Sequence, residues 1–448
     1  MAFITDKQTL EDLHIFGRQG SDAVYNIFHR THTRGGGVVL ENMFRYPLSN
    51  QASIQQRSDM IRYFREVPTE FPFPPEWFDV VEQYLENTDE RTKLSTGPPS
   101  QGRMLHHLMG GDTAYKTIYK GVTTSIQLLH ALRVFIDQLP PAALESGYQS
   151  SRVQIGNLLA DEALVSLLDI HYTAKLSFEA VAALDRDIRF RQRDKIKQAL
   201  EYIYHLDVYI AVARVAGERG FVMPTTLPAE AASVYLEGVY HPQVKNAVGN
   251  TLHITPESNI VFLTGANMAG KSTFMKTLGI AIYLAHMGFP VPAAKMEFSV
   301  RDGLLTTINL ADNLHAGVSH FYAEVLRIKK MADTLKQAKN LFIIVDELFR
   351  GTNVKDAYEA TIAITGAFAK QRQCMFVVST HIIEAGEALQ AACSNIHFVY
   401  LPTRMEQQVP VYTYQLKNGI TADRHGMVII NHENIIPIIR SRKKNVRP

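Results

Sequence analysis

The segment that constrains this chain most is Thr264-Gly265-Ala266-Asn267-Met268-Ala269-Gly270-Lys271-Ser272-Thr273. From Gly265 to Ser272 it satisfies the G-x-x-x-x-G-K-[ST] spacing of a phosphate-binding loop. An apolar run, Ile260-Val261-Phe262-Leu263, leads in, and a helical pattern from Phe274 to Ile280 follows. Strand, glycine turn and helix start are the context the motif needs. The glycines let successive backbone N–H groups face a phosphate, and the helix N-terminus adds a favourable dipole. Read this way, Gly265, Ala266, Asn267, Met268, Ala269, Gly270, Lys271, Ser272 and Thr273 wrap nucleotide phosphates. Lys271 reaches the β- and γ-phosphates, and Ser272 holds Mg²⁺. The plainer alternative is a glycine-rich turn before a buried helix; the flanking patterns count against it.

Two further strand ends carry the chemistry such a loop needs. Leu341-Phe342-Ile343-Ile344-Val345 ends in Asp346-Glu347. Asp346 is expected in the Mg²⁺ shell, directly or through water, and Glu347 is expected to orient or deprotonate the attacking water. Phe376-Val377-Val378-Ser379-Thr380 ends in His381, which can sense the γ-phosphate. Acids and histidines are ordinary at strand ends; beside a phosphate loop the three elements form a set.

The remainder of the 448 residues shows two patterns. Up to about Gly220 it is mostly helical. Ile118, Val122, Ile126, Leu129, Leu132, Ile136 and Leu139 form one apolar stripe, which Pro140-Pro141 ends. Val153 to Ala216 reads as two or three helices, and Val67–Pro75 and Ser95–Pro99 read as loops. After Pro224 and Pro228 short apolar runs alternate with helices, as in an α/β domain with a mostly parallel sheet. The expected strands are Ile260–Leu263, Gly303–Asn309, Leu341–Val345, Met375–Ser379, Ile396–Leu401 and Val411–Leu416.

Bulk composition narrows the function classes. With 46% hydrophobic and 20% charged residues, disorder over most of the length is excluded. A net charge of +2 provides no global field for nucleic acid. DNA contact therefore rests on local patches: Arg189-Phe190-Arg191-Gln192-Arg193-Asp194-Lys195, or the basic end from Arg440 to Pro448. A solvated helix face and a solvated tail are the alternatives for these two. Cys374 and Cys393 make no metal or disulfide pattern, which fits a reducing cytosol. The start lacks the basic and apolar regions of a signal peptide, and no apolar stretch is long enough to cross a bilayer. The expectation is a cytoplasmic protein without membrane contact.

These residues resemble the MutS family of mismatch-repair ATPases. The phosphate loop, with its Asn267-Met268 pair, is similar to the family's. Asp346-Glu347-Leu348-Phe349-Arg350-Gly351-Thr352, followed by Asp356, resembles its Asp-Glu-x-x-Arg-Gly-Thr segment. Ser379-Thr380-His381 resembles its Ala-Thr-His switch, and Ser319-His320-Phe321-Tyr322-Ala323-Glu324 its Ser-Thr-Phe-Met-x-Glu motif. Tyr240-His241-Pro242 is similar to an entry segment ahead of the ATPase sheet, and Gln415–Ile420 with Gly426 to a region near that domain's end. Asp12–Phe16, Arg30–Gly36, Arg45–Leu48 and Leu206–Val208 resemble pieces of the helical core more weakly.

The resemblance implies a multi-domain chain. An all-α helical core/lever domain covers 1–224, with its clamp reduced or absent. An α/β P-loop NTPase domain of ABC-ATPase type covers 225–435, and a basic tail covers 436–448. It implies an ATPase using ATP and Mg²⁺, switched by nucleotide and working as a homodimer through its ATPase domains. Ser319 then reaches the γ-phosphate bound by the partner subunit. DNA, duplex or structured, is the implied partner, with low intrinsic mismatch specificity because no mismatch-reading or connector domain is expected. Phe64-Arg65-Glu66 is read as structural. Ala247-Val248-Gly249-Asn250 stands where members often supply an aromatic to the adenine, His320 replaces a threonine, and Asn353-Val354-Lys355 replaces hydroxyl and aromatic residues. The alternative is a nucleotide switch acting on a protein partner. A transporter ATPase subunit is weaker, since no Leu-Ser-Gly-Gly-Gln type of segment occurs.

Overall fold

The computed structural model describes residues 2–18, 20–94, 113–141, 147–170, 175–266, 268–308, 320–349, 351–406, 409–421 and 434–441. Helices fill the first half and mixed sheets with helices the second, a helical plus α/β protein. Two compact units are built from it: Met1–Phe28 with Phe44–Ser58 and Ala216–Pro448, and His29–Met43 with Asp59–Val215.

The second unit is helical. Its helix Thr113–Gln138 stops just before Pro140-Pro141, and every residue of the expected stripe from Ile118 to Leu139 is buried. The stretch expected as two or three helices is cut more finely. It forms helices Gly147–Leu159, Glu162–Leu168 and Phe178–Asp185, a π-helical turn Arg186–Arg191, and helix Arg193–Arg219. Side-chain caps make the cuts: Asp161 accepts from the Ala163 N–H at 3.1 Å and Ser177 from that of Ala180 at 3.2 Å, satisfying donors at new helix starts. Asp207, fully buried, accepts from the His32 N–H at 2.9 Å and from the Thr33 N–H and hydroxyl at 2.8 Å. It thereby holds, from 174 residues away, the Thr33 hydroxyl that caps the helix Arg34–Arg45 by accepting from the Gly36 N–H at 2.9 Å. A Cβ on Gly36 would lie 2.5 Å from the Asp207 carboxylate, so this approach needs glycine. Phe64 is buried with its ring edge-on to Tyr148 at 5.8 Å, consistent with a structural role for Phe64-Arg65-Glu66. The Ser95–Pro99 loop lies outside the described residues.

In the first unit, six strands form the main sheet in the order β12-β9-β4-β8-β7-β6. They are β12 (Lys417–Asn418), β9 (Ile396–Leu401), β4 (Ile260–Gly265), β8 (Met375–Ser379), β7 (Leu341–Val345) and β6 (Gly303–Thr307). All are parallel except β12, which pairs antiparallel with β9 at the edge. Every residue of β4, β7 and β8 is buried, as expected of strands covered on both faces. Phe262, Ile343 and Phe376 share one core, in which Phe368 stacks on Phe376 at 4.4 Å. Each such side chain contributes about 1.5–3 kcal/mol by leaving water.

A second sheet runs β1-β5-β2-β3: β1 (Thr225–Leu227), β5 (Lys295–Ser299), β2 (Val234–Val239) and β3 (Asn250–Ile254). None of these strands was expected. β10 (Thr403–Glu406) and β11 (Val409–Tyr412) form a hairpin. The strand expected over Val411–Leu416 ends at Tyr412 instead, because Tyr414 adopts φ +54° and breaks the extended chain. β6 likewise ends at Thr307, short of Asn309, which lies outside the described residues. The segment expected as a tail, 436–448, starts within a helix, Ile435–Ser441, and residues 442–448 lie outside the described residues.

The amino-terminal segment completes the β6 edge of the main sheet. Ile4 donates to the Asp302 carbonyl at 2.8 Å and accepts from the Leu304 N–H at 2.9 Å. A Cβ on Gly303 would fall 2.3 Å from the Ile4 carbonyl oxygen, so glycine is required there. Asp12 then accepts from the Thr306 hydroxyl at 2.7 Å and the Ile308 N–H at 2.9 Å. These bonds satisfy an edge that would otherwise present open donors and acceptors.

Candidate phosphate and metal site

β4 delivers the glycine-rich loop, expected to bind phosphate, at its carboxyl end. Gly265 has φ +152° and Gly270 φ +99°, both outside the range of ordinary L residues. Gly270 caps the helix Lys271–His286 with left-handed backbone, and the loop tip Met268, φ +67°, is 79% exposed. Lys271 is buried. Its ammonium donates to the Gly265 carbonyl at 3.0 Å and the Ala266 carbonyl at 3.2 Å. Burial lowers its pKa, against the opposing pull of Glu347 and Asp346. No hydrogen bond or ion pair to a carboxylate is made by this buried cation among the described residues. Its surroundings are loop carbonyls and a helix N-terminus, the setting in which an anionic phosphate supplies the missing charge. Asn267 lies outside the described residues.

β7 delivers the acidic pair two strands away, with β8 between β4 and β7. Ser272 donates to Asp346 Oδ2 at 2.5 Å, and Ser379, at the end of β8, donates to Asp346 Oδ1. The Asp346 N–H is fixed on the Thr307 carbonyl at 2.8 Å. Burial raises the Asp346 pKa, and the two hydroxyls oppose that rise. Glu347 takes φ +52°, a left-handed conformation that costs roughly 1–3 kcal/mol and concentrates at functional turns. Its N–H points at both the Ser379 carbonyl and hydroxyl, each at 3.2 Å, and its carboxylate meets His381 Nε2. The structure therefore brings Lys271, Ser272, Asp346, Glu347 and His381 together. Ser319 lies outside the described residues, as does Arg350.

Hydroxyl and carboxylate oxygens at this spacing suit a hard cation. Among the described residues, no group of three or more His, Cys, Asp or Glu could hold a metal alone. One carboxylate and one hydroxyl, completed by phosphate oxygens and water, is how Mg²⁺ is commonly bound.

A cavity of about 380 Å³ adjoins the loop, reaching Ala269, Gly270 and Thr273. Ala247, Val248 and Asn250 line it, as does His241, whose pKa burial lowers with help from Lys276. Two aromatic rings line it, Phe274 on the helix that follows the loop and Tyr414 beyond the hairpin, the latter missed by sequence reasoning. Asn250 fixes that segment: its amide donates to the Tyr414 carbonyl at 3.0 Å and accepts from the Leu416 N–H at 2.7 Å. Ser379 was also missed as a site residue; the available signal was a hydroxyl where the resembling switch carries alanine.

The basic residues of the segment 189–195 are paired within the helical unit, Arg189 in its interior and Arg191 at its surface. Arg189 and Asp185 form an ion pair at 2.7 Å with both side chains 1% exposed, and Arg189 also donates to Thr92 Oγ1 at 2.8 Å. Arg193 donates to the Leu85 carbonyl at 2.8 Å, Lys195 to Asp161 at 2.6 Å, and Arg191 to Asp187 at 2.9 Å. It is neither a free cationic patch nor simply a solvated face. No helix among the described residues is long and apolar enough to cross a membrane.

Residues 261–446 match the family model described as MutS domain V. The chain is 25% identical over 370 residues to the DNA mismatch repair protein MutS of Petrotoga mobilis, covering 74% of this chain and 44% of that protein. It is 27% identical over 281 residues to the MutS protein of Halalkalibacterium halodurans, 60% of this chain and 32% of that protein. With the Thermus thermophilus MutS protein it shares 29% over 243 residues, 53% and 28% of the two chains. The matches thus span less than half the length of these relatives. They lend no support to the alternative of a switch acting on a protein partner.

Proposed function

Because the chain belongs to the MutS family, we propose that it binds and hydrolyses ATP at the loop around Lys271 and couples that cycle to DNA. The observation that carries this reading is the convergence of Lys271, Ser272, Asp346, Glu347 and His381 at the carboxyl ends of three neighbouring strands, β4, β8 and β7. Lys271 and the loop N–H groups take the phosphates, and the adjoining cavity takes the base beside Tyr414. Ser272 and Asp346 hold Mg²⁺, which neutralises charge on the phosphate oxygens. Glu347 accepts a proton from, or orients, the attacking water, and His381 holds the Glu347 carboxylate in place. This is an ABC-type ATPase domain, and Ser319 of one subunit completes the site of the other in a homodimer. DNA is held by shape and phosphates rather than by mismatch reading, in the cytoplasm.

The test replaces the base while keeping its shape. Glu347→Gln is expected to bind ATP as the wild type does and to hydrolyse it at least about a hundredfold more slowly. Wild-type turnover in that variant would remove Glu347 from its role.

A further inference from the structure

We propose that Ser379 is a positioning residue that fixes the Asp346 carboxylate for Mg²⁺ and the Glu347 turn beside it. The inference rests on the ATPase reading above and adds a residue to it. Asp346 has two carboxylate oxygens, and each meets a different hydroxyl. Oδ2 accepts from Ser272 at 2.5 Å, on the phosphate-loop side, while Oδ1 accepts from Ser379. The Ser379 hydroxyl has a second task, accepting from the Glu347 N–H at 3.2 Å. Its own carbonyl takes the same N–H at 3.2 Å. One side chain thus bridges the carboxylate that would hold the metal and the backbone of the residue that would handle water.

The fold explains why this position can do so. β8 lies between β4 and β7, and Ser379 pairs with Leu263 of β4 while Val378 pairs with Val345 of β7. Ser379 is fully buried at that strand end, so no solvent competes for its hydroxyl. Without the hydroxyl, Asp346 Oδ1 and the Glu347 N–H each lose a partner in a dry site, and the carboxylate is free to turn away from Ser272. Glu347 sits at φ +52°, a conformation that persists only where its surroundings hold it. An alanine, as in the switch this segment resembles, offers neither hydroxyl bond and keeps only its backbone carbonyl for the Glu347 N–H. Groups that orient a metal-holding side chain typically alter metal affinity by about 10–100-fold.

The experiment measures ATP affinity of the full chain by calorimetry, in EDTA and in Mg²⁺, for wild type, Ser379→Ala and Ser379→Thr. Ser379→Ala is expected to keep the metal-free affinity within about twofold and to lose about tenfold of the gain that Mg²⁺ confers. Ser379→Thr, which restores the hydroxyl, should recover that gain. If Ser379→Ala keeps the full Mg²⁺ gain, or loses metal-free affinity to the same extent, Ser379 does not act as proposed. If the wild type itself shows no ATP binding, the ATPase reading falls instead.

Discussion

His286 closes the helix that begins with Lys271, and it makes the stability of the glycine-rich loop's support dependent on pH. Its Nδ1 lies 2.8 Å from the Ile282 carbonyl and its Nε2 accepts from the Arg301 N–H at 2.8 Å. Both nitrogens are therefore committed as in neutral imidazole, with Nδ1 carrying the proton. The ring is fully buried against Phe3 and Phe298. Burial pushes its pKa from 6.5 down to about 3, a hydrogen bond to the Ile282 carbonyl opposes that fall, and Arg301 reinforces it. The folded value lies below the unfolded one, so the unfolded chain binds the extra proton between pH 6.5 and about 3. The stabilisation is complete above the unfolded pKa and is lost as pH falls through that window. The loss reaches about 2 kcal/mol at about pH 5 and about 3 kcal/mol at about pH 4. His286→Gln keeps an acceptor for Arg301 without titrating. Urea unfolding followed by far-UV circular dichroism should show the wild type losing about 2 kcal/mol relative to this variant between neutral pH and about pH 5. Parallel pH dependences in the two proteins would refute the argument.

The helical unit and the DNA reading give the remaining predictions. Arg189→Met strands Asp185 as a buried charge and should cost about 3–5 kcal/mol, read from the fluorescence of Trp77, the chain's one tryptophan, in urea. Arg191→Ala, at an exposed pair, should stay within about 0.5 kcal/mol; equal effects would contradict the assignment of Arg189 to the interior. Duplex binding in the presence of ATP, followed by fluorescence anisotropy, should weaken about a hundredfold for four phosphate contacts as salt rises about fourfold. Salt-independent binding, or none at low salt, would remove phosphate recognition from the account.

What was legible in the sequence was local. The loop from Gly265 to Ser272 and the strand ends at Asp346 and His381 each announce themselves within a dozen residues, because a buried parallel strand must be apolar and must stop at polar residues. What was not legible depends on neighbours set by topology. Ser379 touches Asp346 because of the strand order β4-β8-β7. Tyr414 reaches the cavity through a bond from Asn250, 164 residues earlier. The hold of Asp207 on the helix-capping Thr33 spans a similar distance. β3 did carry a readable signal: Asn250-Thr251-Leu252-His253-Ile254 alternates buried and exposed positions. Its polar residues hid it beside the uninterrupted apolar runs of the main sheet. The fraying of Val153–Ala216 into shorter helices followed caps such as Asp161, whose weight a periodicity count does not register.

The central claim is that the cradle around Lys271 grips a triphosphate together with Mg²⁺ held at Ser272 and Asp346. Titration calorimetry of ATP into the protein, with Mg²⁺ and with EDTA, tests it most directly when repeated on Lys271→Ala. The account predicts saturable one-site heat for the wild type that is strengthened by Mg²⁺, and binding weakened at least about tenfold in Lys271→Ala, the scale of one lost charge-assisted contact. Absence of heat in the wild type, or identical binding by Lys271→Ala, would contradict it.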